Sequence, residues 1–253
     1  MAAGLKQIVR ALICCFSAAI CIPAAGHCES FSTTNLQLLY GSNFHDNYYG
    51  NNTADGKMTI LTLEHFGIWS YGDHYFFIDL KSGDFLDFAG NPTANRSRIY
   101  SEWAPRISLS ALNGNNLGIG ILKDVFIAAQ INRDGEGFRA DMGGIGIDLT
   151  IPGFNLLSIN GYLRKDNLNK MTWQSTTVWM VPLGPWLSFE GFIDLYGTDS
   201  NGMEIHSQPQ LLFNPGKAAD LGFDNLLIGL EWYYHRNRYL NSSVLQGMIK
   251  WVW

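Results

Sequence analysis

Carboxylates and aromatic rings recur at every second position in several short segments of this chain. In the segment WLSFEGFIDLY, Glu190, Phe192 and Asp194 share one parity and alternate with apolar residues. A carboxylate accepts hydrogen bonds from hydroxyl groups, and the face of an aromatic ring stacks on a flat ring. These side chains therefore predict noncovalent binding of a flat, hydroxylated, uncharged solute. The candidate binding residues are Phe77, Asp79, Glu102, Asp124, Phe126, Glu190, Phe192, Asp194, Tyr196, Glu231 and Tyr233.

Strands must position these side chains, because apolar and polar residues alternate with a period of two over most of the chain. In NLLIGLEWYYH, Leu226, Ile228 and Leu230 share one face, and Glu231 and Tyr233 lie on the other. Each alternating segment is near the ~9 to 11 residues that a tilted membrane strand requires. The predicted strands are 33–41, 57–66, 73–81, 98–111, 117–132, 138–150, 154–164, 172–181, 186–197, 207–213, 224–235 and 243–253.

The connections between these segments fall into two groups. The odd connections include the long polar stretches SNFHDNYYGNNTADG, KSGDFLDFAGNPTANRS and GTDSNGMEIHS, and the even ones include the breakers NGNN, IPGF and PLGP. Outer-membrane barrels have long extracellular loops and short periplasmic turns. We therefore predict that both ends of the chain are periplasmic and that the odd connections are extracellular; the even connection NPGKAADLG is longer than a minimal turn.

The final segment SSVLQGMIKWVW favours a membrane barrel over a soluble one. Leu245, Ile249 and Trp251 share one parity, Gln246 and Lys250 share the other, and the segment ends on an indole. Aromatic residues at the ends of apolar faces are typical of the girdles at membrane interfaces. The alternative is a soluble secreted barrel or sandwich, in which the apolar face would point into a core. We predict an all-β, transmembrane antiparallel barrel of about 12 strands in the bacterial outer membrane.

The first residues predict a cleaved signal peptide over residues 1–28, which leaves the barrel as one domain over residues 29–253. Lys6 and Arg10 form a basic region, and the apolar stretch ALICCFSAAICIPAAG follows. A retained membrane anchor is disfavoured by Pro23 and by a length below the ~18 to 20 residues of a spanning helix. All four cysteines lie within residues 1–28, so no disulfide framework or cysteine metal site is predicted beyond them.

Charge excludes nucleic acid as a partner. Residues 29–253 carry all 22 acidic residues and 15 of the 17 basic ones, which leaves a net charge of −7. Binding to a phosphate backbone needs clustered Lys and Arg. The histidines show no paired metal-ligand spacing, and we predict no metal and no cofactor. A lipase or protease with its catalytic groups at the barrel rim is the enzymatic alternative, but no residue pattern points to one, and we predict no enzyme.

Several blocks of this sequence resemble a known family. The blocks YSEWAPRISLS, LKDVFIAAQIN, GIGIDLTIPGF, GFIDLYG, QPQLLF, IGLEWYYHRNRY and LQGMIKWVW occur in order over residues 100–253. They are similar to the Tsx and OmpK family of outer-membrane nucleoside-specific channels, and they look closer to the OmpK branch, known as phage receptors. The resemblance implies a monomeric twelve-stranded barrel and, for the Tsx branch, passive and selective uptake of nucleosides.

Three functions follow from these patterns. The first is an outer-membrane channel that is selective for nucleosides, and the second is a general diffusion pore. The third is a receptor that binds phage or another partner through the long connections at 42–56 and 81–97. The expected partners are nucleosides, outer-membrane lipid and the barrel-assembly machinery, with phage as a further candidate.

Overall fold

The computed structural model describes residues 31–46, 51–87 and 89–253 of the chain, and most of them lie in strands. The predicted signal peptide lies outside the described residues. Within these ranges the helices are Leu109–Asn113 and Pro215–Ala218. The strands are β1 Phe31–Gly41, β2 His45–Asp46, β3 Asn51–Asn52, β4 Met58–Trp69, β5 Gly72–Ser82, β6 Ser97–Ser108, β7 Leu122–Asp134, β8 Arg139–Leu149, β9 Leu156–Asp166, β10 Thr172–Pro182, β11 Leu187–Gly197, β12 Met203–Ser207, β13 Gln210–Phe213, β14 Leu226–Arg236 and β15 Asn241–Val252.

The strands form a closed antiparallel barrel. Neighbours in sequence pair from β4 through β11, β1 pairs with both β4 and β15, and the pairing of β10 with β11 completes the ring. β12 and β13 lie end to end between β11 and β14, so they share one position and the barrel has twelve. The small β2–β3 hairpin stands apart from this sheet. The predicted all-β barrel is confirmed.

The shared position of β12 and β13 has a local cause at Pro209. Proline has no backbone N–H to donate to a ladder, so the ladder loses a hydrogen bond at Pro209. Gly191 faces this gap with a φ of 151°, and a Cβ there would lie 2.7 Å from the carbonyl oxygen of Gln208. The prediction of one continuous strand over 207–213 is therefore wrong in two respects. The observed strand position starts earlier, at Met203, and it is divided into β12 and β13.

A second correction concerns the connection between β6 and β7. The predicted strand 98–111 ends at Ser108, whose hydroxyl accepts a hydrogen bond from the N–H of Ala111 and caps the helix Leu109–Asn113. Ser, as an N-cap, stops the extended conformation and starts a helical turn. The predicted strand 117–132 begins only at Leu122. The NGNN breaker therefore belongs to a long connection, 109–121, and is not a tight turn.

The two faces of the barrel wall follow the predicted parity. On β14, Ile228 and Leu230 are 42% and 44% exposed, whereas Glu231 and Tyr233 are 5% and 3% exposed. On β15, Leu245 and Ile249 are exposed while Gln246 and Lys250 are buried. Because the exposed face is apolar and the enclosed face is polar, the outside of the barrel suits lipid. Neither of the helices that the structure describes is long and apolar enough to cross a membrane.

The two ends of the barrel are called upper and lower below. The upper end carries the connections that follow β1, β5, β7, β9, β11 and β14, and the lower end carries the others. Exposed aromatic residues surround the lower end, with Tyr71, Trp186, Trp251 and Trp253 between 40% and 59% exposed. Such a ring is expected where the wall meets the membrane interface. That the upper end is extracellular stays a prediction.

The seam between β1 and β15 continues to the last residue, which gives a first testable prediction. Trp253 exchanges two backbone hydrogen bonds with Thr34, at 3.0 Å and 2.9 Å. We expect removal of Trp251 to Trp253 to lower the folded fraction, because the seam loses ladder bonds and interface aromatics together. Heat-modifiable mobility on gels measures that fraction. A matched variant, Trp232→Ser, removes one lipid-facing indole away from the seam; equal folded yields of truncated and full-length protein would contradict the prediction.

Candidate functional site: the barrel interior

The interior of the barrel is crossed by hydrogen-bonded polar side chains. The largest group starts at Glu64 on β4, which accepts hydrogen bonds from Asn35, at 2.8 Å, and from Tyr75, at 2.9 Å. Lys250 on β15 lies 3.8 Å from Glu64 and donates a 2.5 Å hydrogen bond to Glu190 on β11. One lysine therefore links carboxylates from two separate parts of the wall.

Glu231 on β14 is held by amides in the same region. It accepts hydrogen bonds from Gln210 at 2.7 Å and from Gln246 at 2.9 Å. Gln210 also donates to the side-chain oxygen of Gln37 on β1, at 3.2 Å. Because β14 and β15 separate Gln210 from Gln37 in the wall, this contact also reaches across the inner surface.

Arg106 forms the most complete ion-pair cluster, near the lower end. Its guanidinium donates to both oxygens of Asp73, at 2.8 and 2.7 Å, to Asp148 at 2.8 Å and to the hydroxyl of Ser158 at 2.6 Å. The planar guanidinium matches a carboxylate with two parallel bonds. It also stacks 4.1 Å from the ring centre of Phe126. The cluster ties β5, β6, β8 and β9 together.

A row of rings and carboxylates lines the inner side of β5 and β6. The rings of Tyr75, Phe77 and Tyr100 follow one another at centroid distances of 6.1 and 5.9 Å. Beside them, Glu102 accepts hydrogen bonds from Tyr100 at 2.5 Å and from Gln130 at 2.8 Å. The remaining carboxylate of β5, that of Asp79, accepts a 2.6 Å bond from the hydroxyl of Thr62. We call Tyr75, Phe77 and Tyr100 the first ring row.

A second ring row, Phe192, His206, Tyr233 and Phe44, lies on the other side of the barrel. His206 lies 5.4 Å from Phe192 and 5.4 Å from Tyr233, and Phe44 lies 5.8 Å from Tyr233. The nearby carboxylate of Asp194 accepts a 2.5 Å hydrogen bond from Thr176.

Above the second ring row lies a separate buried cluster. The guanidinium of Arg164 is 4.4 Å from the ring centre of Tyr196, and it donates to Asp166 and Gln174 at 2.9 and 2.5 Å. Glu204 pairs with His235 at 2.6 Å, and neither side chain is exposed. These contacts hold the upper part of β9 to β14 together.

Part of the first connection, which joins β1 to β4, folds into the upper end of the barrel. Phe44 is fully buried, and the amide of Asn51 donates to the hydroxyl oxygen of Tyr233 at 3.1 Å. Lys81 on β5 donates to the amide oxygen of Asn51, also at 3.1 Å. The backbone of Thr53 pairs with Phe85 of the third connection, residues 83–96 between β5 and β6. These two long connections therefore pack on each other and narrow the upper opening.

The third connection carries a carboxylate outside the membrane-spanning strands. The backbone N–H of Asn91 donates to Asp87 at 2.8 Å, and this hydrogen bond, followed by the Asn91 side chain, holds the pKa of Asp87 below its usual value. Hydrogen bonds to a charged form favour it. Asp87 thus adds a negative charge at the upper opening.

The structure brings most of the sequence-predicted residues into the interior, in different groups. Glu190 and Glu231 join the Lys250 region, Phe77, Asp79 and Glu102 lie along the first ring row, and Phe192, Asp194 and Tyr233 lie along the second. Tyr196 packs on Arg164, and Phe126 packs on Arg106. Asp124 is separate: it accepts bonds from Ser108 and Ser110 and fixes the lower connection.

Several interior residues were absent from the predicted set. Asn35 and Gln37 alternate with the lipid-facing Leu36 and Leu38, so the period-two pattern could have identified them. Arg106 and Lys250 share the inner parity, but they are neither acidic nor aromatic and therefore lie outside the predicted binding set. Asn51 lies in a connection without any period, and no sequence signal places it against the wall.

Comparison with known proteins decides the family. The sequence pattern of the nucleoside-specific channel-forming protein family, Tsx, matches residues 40–208. This chain belongs to the Tsx family. Two relatives are the outer membrane proteins OmpK of Vibrio parahaemolyticus, at 28% and 27% identity. The matches cover 56% and 53% of this chain and 60% and 53% of those relatives, so the chain spans just over half of their length. The resemblance to the OmpK branch and the outer-membrane location are confirmed.

Two solved porins align with this chain at low sequence identity. The KdgM porin has a TM-score of 0.49 and 6% identity, and covers 87% of this chain and 98% of its own. OpdK of Pseudomonas aeruginosa, solved with vanillate, has a TM-score of 0.31 and 9% identity. This match covers 88% of the present Tsx-family chain and 98% of the OpdK chain. Because both TM-scores lie below 0.5, the strand pairing of the chain itself defines its fold.

Proposed function

We propose that this protein is an outer-membrane channel for the passive, selective uptake of nucleosides. The observation that carries the proposal is a pair of ring rows that face each other inside a closed barrel, with carboxylates beside each row. A nucleoside has a flat base that stacks on rings and ribose hydroxyls that donate to carboxylates. Family membership supports the same solute class.

The two ring rows lie on opposite walls of the barrel. Phe77 is on β5 and Phe192 is on β11, and six steps around the twelve-position barrel separate these strands. The same six steps separate Tyr100 on β6 from His206 on β12. Positions half a turn apart in a barrel face each other across the lumen. A base entering between the rows would therefore meet a ring on either side.

The carboxyl groups of the interior favour an uncharged solute. Asp79, Glu102, Asp194 and Glu231 accept hydrogen bonds from uncharged hydroxyl and amide donors. A phosphate group needs Arg, Lys or backbone N–H donors. We propose that nucleoside monophosphates are excluded because their phosphate would meet carboxyl groups instead.

Block of ion current tests this function. In planar bilayers, nucleoside added at micromolar to millimolar concentration is expected to reduce the current through the protein, and the monophosphate is expected to do so much less. Phe192→Ala should weaken the block by about fivefold or more, since stacking of one base on a ring contributes at least ~1 kcal/mol.

The matched control lies on the same strand. Phe189 is 37% exposed on the lipid side of β11, so Phe189→Ala removes the same ring without touching the lumen. Its block by nucleoside should equal that of the unaltered protein. Equal block by nucleoside and monophosphate, or none by either, would reject nucleoside selectivity and favour the general diffusion pore.

The remaining partners are proposals of the same kind. The apolar outer face contacts outer-membrane lipid. We propose that the barrel-assembly machinery inserts the protein, that it acts as a monomer and that it has no enzymatic activity. The proposed phage-receptor role would use exposed parts of the upper connections, and deletion within the connection 83–96, followed by a phage adsorption assay, tests it.

A further inference from the structure

Lys250 makes an ion bridge between two distant parts of the wall. Its ammonium nitrogen lies 2.5 Å from an oxygen of Glu190 and 3.8 Å from an oxygen of Glu64. The Lys250 side chain is 8% exposed, while those of Glu190 and Glu64 are 16% and 23% exposed. The lysine is therefore enclosed, and both carboxylates retain contact with the space inside the barrel.

The bridge crosses the lumen instead of following the wall. From β15, Glu64 on β4 is two strands away on one side, and Glu190 on β11 is three strands away on the other. Five interstrand steps of ~4.8 Å make a path of about 24 Å along the wall. The two carboxylates nevertheless contact the same nitrogen. Their side chains must therefore project inward and meet above the surface formed by β1, β15, β14 and β13.

The strands beneath the bridge carry uncharged polar side chains and one more carboxylate. Gln37, Gln210 and Gln246 line the inner surface of β1, β13 and β15. The amides of Gln210 and Gln246 donate to Glu231, and Gln37 accepts a hydrogen bond from Gln210 and donates one to Glu64. This part of the lower half of the barrel contains three carboxylates, Glu64, Glu190 and Glu231, and Lys250 is the cation that pairs with two of them.

We propose that Lys250 is a selectivity-determining residue, whose bridge to Glu64 and Glu190 narrows the lumen and sets the charge preference of the pore. This inference rests on the proposed channel function. With the lysine in place, its positive charge offsets part of the negative charge of Glu64 and Glu190, which limits the accumulation of cations in the narrow zone. Without it, two carboxylates face the lumen unpaired, and cations accumulate there. A unit charge about 6 Å from the path of an ion changes the local concentration of that ion by about threefold even at the dielectric constant of water.

The test is the reversal potential of the full protein in a planar bilayer across a gradient of dilute KCl, where screening is weak. Lys250→Met keeps the length of the side chain and removes its charge. We expect its preference for potassium over chloride to rise about threefold or more and its conductance to increase. Lys250→Arg should keep the preference of the unaltered protein. Lys217→Met changes the net charge by the same amount at an exposed position on the lower connection 214–225. This variant should keep both the ion preference and the conductance of the unaltered protein.

A second pair of variants tests the inference if Lys250→Met does not fold. Glu190→Gln and Glu64→Gln remove the partners, and each should shift the preference toward chloride, opposite to Lys250→Met. Heat-modifiable mobility reports folding of every variant. Unchanged ion selectivity in a folded Lys250→Met variant would overturn the inference. If the Lys250→Met variant does not fold, unchanged ion selectivity in both glutamine variants would overturn it.

The outcome for Lys250 is separable from that for the solute, because these recordings contain no nucleoside. Current that responds to Lys250→Met but is not blocked by nucleoside would keep this inference and reject nucleoside selectivity. Absence of any current through the unaltered protein would overturn both.

Discussion

Replacing Arg106 with methionine is expected to lower the free energy of unfolding of the barrel by about 3 to 5 kcal/mol. The guanidinium is 8% exposed and pairs with Asp73 and Asp148, whose side chains are 11% and 10% exposed. Removing the cation leaves two enclosed carboxylates without compensation, and an unpaired buried charge is strongly destabilising. Urea-dependent unfolding of the protein in vesicles, followed by tryptophan fluorescence, measures the change.

An exposed ion pair provides the control for Arg106. Arg133 pairs with Asp141 at 2.6 Å, but these side chains are 43% and 60% exposed. Exposed ion pairs contribute ~0 to 1 kcal/mol, so Arg133→Met should have a small effect. Restoring neutrality with Asp73→Asn and Asp148→Asn in the Arg106→Met background should recover part of the loss. Equal effects of Arg106→Met and Arg133→Met would show that the lumen cluster does not stabilise the barrel.

Leu230→Arg is expected to destabilise the inserted barrel by about 2 to 4 kcal/mol, because a cation on the lipid face is most unfavourable near the middle of the membrane. Leu230 is central on β14, 44% exposed on the outer face, with Leu211 and Gly247 as its cross-strand neighbours. The same unfolding measurement in vesicles reports the change.

Leu221→Arg is the matched substitution outside the wall. Leu221 is 56% exposed in the connection 214–225, so an arginine there stays in water. We expect almost no loss of stability. If Leu230→Arg unfolds at the same urea concentration as Leu221→Arg, the exposed apolar face of β14 does not contact lipid.

The alternating pattern of the strands is sufficient to predict which side of the wall each residue occupies. A strand turns its side chains to alternate faces, so Ile228 and Glu231 had to lie on opposite sides of the wall wherever β14 was placed. Burial confirms this, at 42% and 5% exposure. The predicted strand boundaries are wrong where a local feature interrupts the alternating pattern. The Ser108 cap ends β6, and Pro209 separates β12 from β13 within the barrel position that they share.

The sequence alone therefore determined the all-β fold, the number of barrel positions and the inner parity of residues such as Phe192 and Glu231. It could not determine which inner residues meet. Lys250 contacts Glu190 and Glu64 because closure of the barrel brings β4, β15 and β11 around one lumen, and the register of each pair sets the height of each side chain. Asn51 reaches Tyr233 because a connection folds inward. Alternation is a property of one strand, whereas these contacts depend on closure of the whole ring, which only the tertiary structure decides.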